Sequence, residues 1–234
     1  MRLIRSKDRK VANSVTASGN VNIANAFGLP AGKAYSCPGA TEYCESICYA
    51  GKLEKVYTNV RKALINNFDI LRNASMYEMT TMLDDMITEF EAECDRKSAN
   101  RLFRIHWDGD FFSTDYTMAW AMVIDAHPDT RFWVYTRVPE AAVLLNGMPN
   151  LTVYFSADRD NIANAPAGVR IAYVDDYFVN GKAVLPKATR CPENNKAIPL
   201  ITPKGSACVT CGLCVFGRND VLFSKNKNKE PANA

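Results

Sequence analysis

Seven of the eight cysteines in this chain fall into two tight groups near its ends. Cys37, Cys44 and Cys48 lie in SCPGATEYCESICYAG; Cys208, Cys211 and Cys214 lie in ACVTCGLCVFGR, with Cys191 upstream in TRCPEN. Thiols two or three residues apart are badly spaced for disulfides with one another, because a disulfide fixes its Cα separation. They are well spaced to aim several thiolates at one metal centre. The chemistry these residue types suggest is therefore iron–sulfur or zinc binding.

The second group is the more specific. Two successive x2 steps over Cys208, Cys211 and Cys214 match the opening of a bacterial ferredoxin run, in which thiolates wrap three corners of a 4Fe-4S cluster. The fourth ligand of such a run is often a Cys-Pro. Cys191-Pro192 and Cys37-Pro38 both qualify, and Cys191, the nearer, is the expected fourth corner. Gly205 and Gly212 let the backbone turn tightly there. Zinc is the alternative metal, although it favours two paired spacings. The first group has three members, and three thiolates hold a cubane with one iron left open, as metal catalysis requires. One or two clusters are expected. Cys94, alone in a helical pattern, reads as a half-buried thiol.

The elements that must position these residues alternate between helix and strand. Residues 53–73 place Leu53, Val56, Val60, Leu64, Phe68 and Leu71 on one helical face. Residues 75–97 form a second long helix opening on Ser75 and Glu78 at capping-box spacing. Strands are expected at 101–107, 131–138, 151–159, 168–176 and 196–203. Helices are expected at 113–127, capped by Ser113 or Thr114, and at 139–147, opened by Pro139 and closed by Gly147. Short helices between strands imply parallel pairing. The expected fold is α/β, a partial (βα) TIM-like barrel of five or six parallel strands with cysteine-rich loops at 37–51 and 191–217. It forms a single domain over 1–222, followed by a disordered polar tail at 223–234.

In parallel α/β folds the site lies at the carboxyl ends of the strands. His106, Asp108 and Asp110 follow one strand. They are the candidate catalytic residues: His106 as proton donor or cluster neighbour, the aspartates as holders of a substrate hydroxyl or amine. A turn eased by Gly109 and a helix cap is the equal alternative for the aspartates. Arg137, Ser156 and Arg159 end two further strands and are the candidate cofactor-binding residues, the arginines for a phosphate or carboxylate. A salt bridge to Asp108, Asp158 or Asp175 is their competing role. Asp175 and Asp176 end a fourth strand, and His127 closes a helix.

Composition excludes several classes. The chain has 234 residues, 47% of them hydrophobic and 23% charged, and a net charge of +3. These are globular proportions, with mild positive charge. No signal-peptide pattern or membrane-length apolar run is seen, so the expected setting is the cytoplasm, where clustered thiols favour metal over disulfide. P-loop, dinucleotide, zincin and GxSxG motifs are missing.

CESICYAG resembles the start of the radical SAM signature C-x3-C-x2-C, with Gly51 at the third position and Cys37 as a substitute from the other side. That resemblance implies S-adenosylmethionine at an open iron. More broadly, the ordered motifs SCPGAT-x2-C-x3-CYAG, RIHWDGDFFS, a strand ending YTR, VYFSADR and the C-terminal cysteine run are similar to a tailed-phage family called gene product eighty-eight. This implies a phage-encoded metal protein of the bacterial host cytoplasm; phage accessory proteins of this size often work on nucleic acid, so DNA or RNA is the expected partner. Two functions follow: a nucleic-acid-binding protein with a structural or redox cluster, or a radical SAM-type enzyme.

Overall fold

A computed structural model describes residues 2–16, 19–174, 178–179, 182–183 and 188–223. The expected ends of the 168–176 strand, Asp175 and Asp176, lie outside these, as does the tail from 224 onward. The chain opens on an antiparallel hairpin of β1 (Asn13–Thr16) and β2 (Gly19–Asn22). Four helices follow: α1 (Glu42–Ile47), α2 (Tyr49–Val56), α3 (Thr58–Arg72) and α4 (Met76–Lys97). Then β3 (Leu102–Ile105), α5 (Thr114–Ala126), β4 (Arg131–Thr136), α6 (Pro139–Leu145), β5 (Leu151–Ala157) and β6 (Arg170–Val174) alternate. The final elements are a hairpin of β7 (Phe178–Val179) and β8 (Lys182–Ala183), then β9 (Thr189–Arg190), a hairpin of β10 (Ile201–Thr202) and β11 (Gly205–Ser206), α7 (Ala207–Cys211) and β12 (Val221–Phe223).

The α/β class expected from the alternation is present. Six strands form one parallel sheet in the order β3-β4-β5-β6-β12-β9, accompanied by seven helices among the described residues. The described strands make an open sheet and close no barrel. Beyond β3, Asn25–Phe27 runs parallel to it, with Phe27 donating to Arg104 O and Arg104 donating to Asn25 O, both at 3.0 Å. This stretch leads directly into the first cysteine loop.

Alternation along the strands divides the core in two. Phe103, Ile105, Phe132, Val134, Val153 and Phe155 point to one face, where α4 and α5 cover them with residues such as Phe90, Trp120 and Ile124. Trp133 and Tyr154 point to the other face, which is covered by Leu213 and Val215 of the cysteine-rich C-terminal segment. The cysteine run therefore serves as a layer of the fold.

Local signals explain the helix ends. Ser75 accepts from Glu78 N while the Glu78 carboxylate accepts from Ser75 N, completing the capping box of α4. Ser113 caps α5, and Pro139 opens α6. Three expectations are corrected. The helix at 53–73 breaks at Tyr57, whose backbone (φ −113°, ψ 89°) belongs to neither α2 nor α3. That break turns α2 so that Ala50 and Glu54 face inward, while Leu53 and Val56 are exposed. The strand at 196–203 shrinks to β10, outside the main sheet, because Lys196 takes a left-handed φ of 65° and Pro199 follows. Phe223, placed in the tail by composition, instead pairs with Val174 as the end of β12.

Candidate functional site

The C-terminal cysteines gather on the face of the sheet opposite α4 and α5. Cys208 and Cys211 bracket the single turn of α7, and Gly212 ends it with a left-handed φ of 66°. The turn is tied to the N-terminal segment: Cys208 N donates to Lys10 O at 2.9 Å, and Ser206 Oγ donates to Arg9 O at 2.9 Å. Cys191 follows β9, and its N–H reaches Leu222 O at 2.9 Å. Cys191, Cys211 and Cys214 pack around Tyr154 and Val221, and Cys208 and Cys214 around Trp133 and Val215. Cys214 interacts electrostatically with Cys191, Cys211 and Cys208, so the four sulfurs occupy one neighbourhood.

Burial dominates the protonation of Cys191, Cys208 and Cys214. It pushes the Cys208 thiol up to about 12 and Cys214 up to about 11, and raises Cys191 as well. The Tyr135 hydroxyl hydrogen-bonds to Cys214 and opposes that rise, while Arg104 acts on Cys208 and Lys10 on Cys191 in the same direction. Among the described residues, no group of three or more His, Cys, Asp or Glu side chains is arranged to hold a metal ion. A tetrahedral zinc with Zn–S near 2.3 Å needs sulfurs about 3.8 Å apart. Four thiols in one neighbourhood are the donor type that iron–sulfur clusters use, and Asp8 and Glu193 stand beside them, ion-paired to Arg104 and Lys10.

The first group lies at the carboxyl ends of β3, β4 and β5. Thr41 caps α1 by accepting from Cys44 N at 3.0 Å, and its hydroxyl donates to Asp158 Oδ2 at 2.6 Å. The same oxygen receives Arg137 Nη1 at 2.6 Å. Burial opposes ionisation of Asp158, but the Thr41 hydroxyl and the Arg137 charge outweigh it and hold the carboxyl below its ordinary range. Gly39 rests on the Arg137 backbone: a Cβ there would clash with the Arg137 carbonyl oxygen. Cys48 is the N-cap of α2, its Sγ accepting from Gly51 N at 3.3 Å. Burial raises all three thiols of this group. Cys44 also senses Cys48, Arg137 and Asp158, and Cys37 senses Asp110 and Asp108.

The strand-end carboxylates divide by role. Asp110 is saturated: Oδ1 accepts from Phe111 N at 2.8 Å and Thr136 Oγ1 at 2.6 Å, and Oδ2 accepts from Arg137 N at 2.8 Å. It clamps the end of β4, and burial raises it to about 6 despite those donors. Asp108 accepts from Gly109 N at 2.9 Å, and its Oδ2 is buried. Burial and the neighbouring Glu54 carboxyl push its pKa up. Glu54 is itself buried and accepts from Ala31 N at 2.8 Å. Asp108 and Glu54 therefore form a carboxyl pair beside Cys48.

His106 departs from its expected place. Its left-handed backbone (φ 56°) swings the ring away from the cysteines into the helix-covered layer, against Phe27, Phe111 and Tyr116. Nε2 meets Tyr116 Oη at 2.8 Å, and burial drops its pKa to about 3, so it is a neutral core histidine. Arg137 takes the salt-bridge role, with Asp158. Arg159 is exposed and lies 5.5 Å over the Tyr43 ring, and Ser156 accepts from Asn161 through its carbonyl. His127 meets Asp84 at 3.1 Å, and Cys94 is fully buried. Sequence reasoning missed Glu54, Tyr135 and Thr41. Only Thr41 carried a signal, a threonine three residues before Cys44.

A family profile described as gene product 88 matches residues 1–217. The Gene 88 protein of Mycobacterium phage L5 is 55% identical over 236 aligned positions, covering 97% of this chain and 99% of that protein. The Gene 88 protein of Mycobacterium phage D29 is 52% identical, covering 96% and 98%. No solved structure matches. No helix among the described residues is long and apolar enough to cross a membrane.

Proposed function

The chain belongs to the gene product 88 family, and we propose that it is an iron–sulfur protein that binds nucleic acid in the cytoplasm of a phage host. The observation that carries the metal reading is the convergence of Cys191, Cys208, Cys211 and Cys214 on the Tyr135 and Tyr154 side of the sheet. A 4Fe-4S cluster presents its irons at separate corners, so its thiolates stand further apart than those on a single zinc. Arg104 and Lys10 stand beside these thiols, each ion-paired with a carboxylate, Asp8 and Glu193. In this reading the six-stranded sheet is part of a (βα) barrel whose interior the cysteine segment fills. The cluster stabilises that segment or senses redox state.

The partner assignment rests on the phage relatives and on a net charge of +3. A second reading, a radical SAM-type enzyme, is favoured by the placement of Cys37, Cys44 and Cys48 at the strand ends beside Asp108 and Glu54. There a three-thiolate cluster would supply an open iron and an electron to bound S-adenosylmethionine. Arg137 would offer charge near Cys44, and the Asp108–Glu54 pair would hold a proton beside Cys48.

Iron, sulfide and zinc analysis of protein purified without oxygen tests the proposal. Iron and sulfide that vanish in Cys211→Ser support the cluster; stoichiometric zinc, or no metal, overturns it. Cys44→Ser in the same assay shows whether the first group holds a second centre.

A further inference from the structure

Helix α2 is inverted relative to an ordinary surface helix. It buries Ala50 and a carboxylate, Glu54, and exposes Tyr49, Leu53 and Val56, which follow one another at i, i+4 and i+7 along one face. Exposure reaches 52% for Tyr49 and 69% for Val56. Buried apolar stripes hold helices to their cores, so this one is left outward for something else.

Charge marks what that is. Over residues 52–62, KLEKVYTNVRK, four cations stand with one acidic residue, Glu54, and that residue is buried. Lys52, Lys55 and Lys62 make no ion pair among the described residues, and Arg61 reaches only the Tyr35 hydroxyl, at 3.5 Å. Unpaired cations beside an exposed apolar stripe call for a partner that is anionic and carries flat apolar surface.

Tyrosines supply the third feature. Tyr57, at the elbow between α2 and α3, is 55% exposed. The Tyr49 hydroxyl is tucked against Trp107 O at 3.0 Å while its ring stays open, which holds the ring in place. Tyr35 is pinned by an edge contact to Phe68 at 6.2 Å. Fixed aromatic faces interleaved with cations are the pattern on which unpaired bases stack while phosphates track the charge. A duplex hides its base faces and would leave the tyrosines and Val56 unused.

We infer that the outward face of α2 and the first two turns of α3 form a docking surface for single-stranded nucleic acid. The inference rests on the nucleic-acid reading above and adds the place and the strandedness. Because α2 begins at Cys48, a strand lying there passes the first cysteine loop.

Fluorescence anisotropy with labelled oligothymidylate, oligouridylate and a matched duplex, run over a salt series, tests it. The expected results are tighter binding of single strands and at least a tenfold loss in Lys52→Gln/Lys55→Gln/Lys62→Gln. The salt slope should fall by about 2 in that variant, since each single-strand phosphate contact contributes about 0.7. Tyr57→Ala should weaken binding about tenfold with the slope unchanged, and Lys204→Gln, in the β10–β11 hairpin, should bind like the parent. Circular dichroism checks that each variant is folded. Parent binding that the α2 variants leave intact overturns this surface and leaves the nucleic-acid reading standing. No parent binding at low salt overturns both. Equal binding to polyglutamate, or binding to phosphatidylglycerol vesicles in place of oligonucleotides, assigns the surface to a different partner and overturns the inference.

Discussion

The Tyr135 hydroxyl hydrogen-bonds to the Cys214 thiol on the face of the sheet opposite α4 and α5, with Arg104 stacked 5.4 Å over the Tyr135 ring. This joins a strand of the main sheet to the cysteine segment by a donor aimed at sulfur. Hydrogen bonds to ligating sulfur raise the reduction potential of a cluster, because they stabilise its more negative state. Tyr135→Phe should therefore lower the potential of the loaded protein, as read by a dye-mediated titration. In metal-free protein the same change should raise the Cys214 pKa further and slow its alkylation by iodoacetamide. Unchanged potential and rate would mean that the hydroxyl does nothing for this sulfur.

The raised thiols also set a pH dependence for the metal-free chain. Well below the ordinary thiol pKa of about 8.5 they are protonated in both the folded and the unfolded state and contribute no slope. Above it, unfolded thiols ionise while folded Cys208 and Cys214 keep their protons up to about 12 and about 11. The unfolded state then binds fewer protons, so stability falls as pH rises through that window. Melting temperatures measured from pH 8 to pH 11 should decline, and more steeply than in Cys208→Ser/Cys214→Ser.

The pair Arg137–Asp158 anchors the first cysteine loop through Thr41. Asp158 is wholly buried and Arg137 nearly so. Removing one partner leaves a buried charge unpaired, which costs about 3–5 kcal/mol. Arg137→Ala should lose that much in urea unfolding, and Asp158→Asn at least as much, since it leaves the Arg137 guanidinium buried without a countercharge and a guanidinium cannot shed its proton. The depressed Asp158 pKa makes its contribution full above the ordinary carboxylate range and lost as pH falls through the folded value. The stability gap between Arg137→Ala and the parent should therefore narrow in acid.

These contacts show what the sequence carried and what it did not. Ser75, Ser113 and Pro139 announced their helices because caps act within a few residues, and the strand-end polar residues announced the cysteine-loop side of the sheet. Cys191 packs in one cluster with Cys211 and Cys214. The Tyr57 break was invisible, because no proline or glycine marks it and helical periodicity continues across it. Glu54 was hidden for the same reason: a carboxylate in a helix reads as solvated until the helix is turned. His106 misled because its left-handed φ, which reverses the direction of the ring, leaves no trace in residue type.

Gly51 separates the two functional readings. It occupies the third position of the CESICYAG motif, and a Cβ there would lie 3.6 Å from Cys48 Sγ and 3.7 Å from Ala31 Cβ, in ordinary contact. The position is helical, within α2, so cysteine fits without strain and exchanges a helix-weakening glycine for a better former. Gly51→Cys should fold with unchanged or slightly higher stability and place a new thiol beside Cys48. If the first group is an enzyme centre that uses Cys37 in place of this position, dithionite and S-adenosylmethionine should yield deoxyadenosine in the parent, and Gly51→Cys should change the yield. If the protein is a binding module, the parent should yield none. A variant that gains iron yet still forms no deoxyadenosine would then show that the loop lacks more than one sulfur, and that the remaining difference lies in the carboxyl pair and Arg137 that surround it.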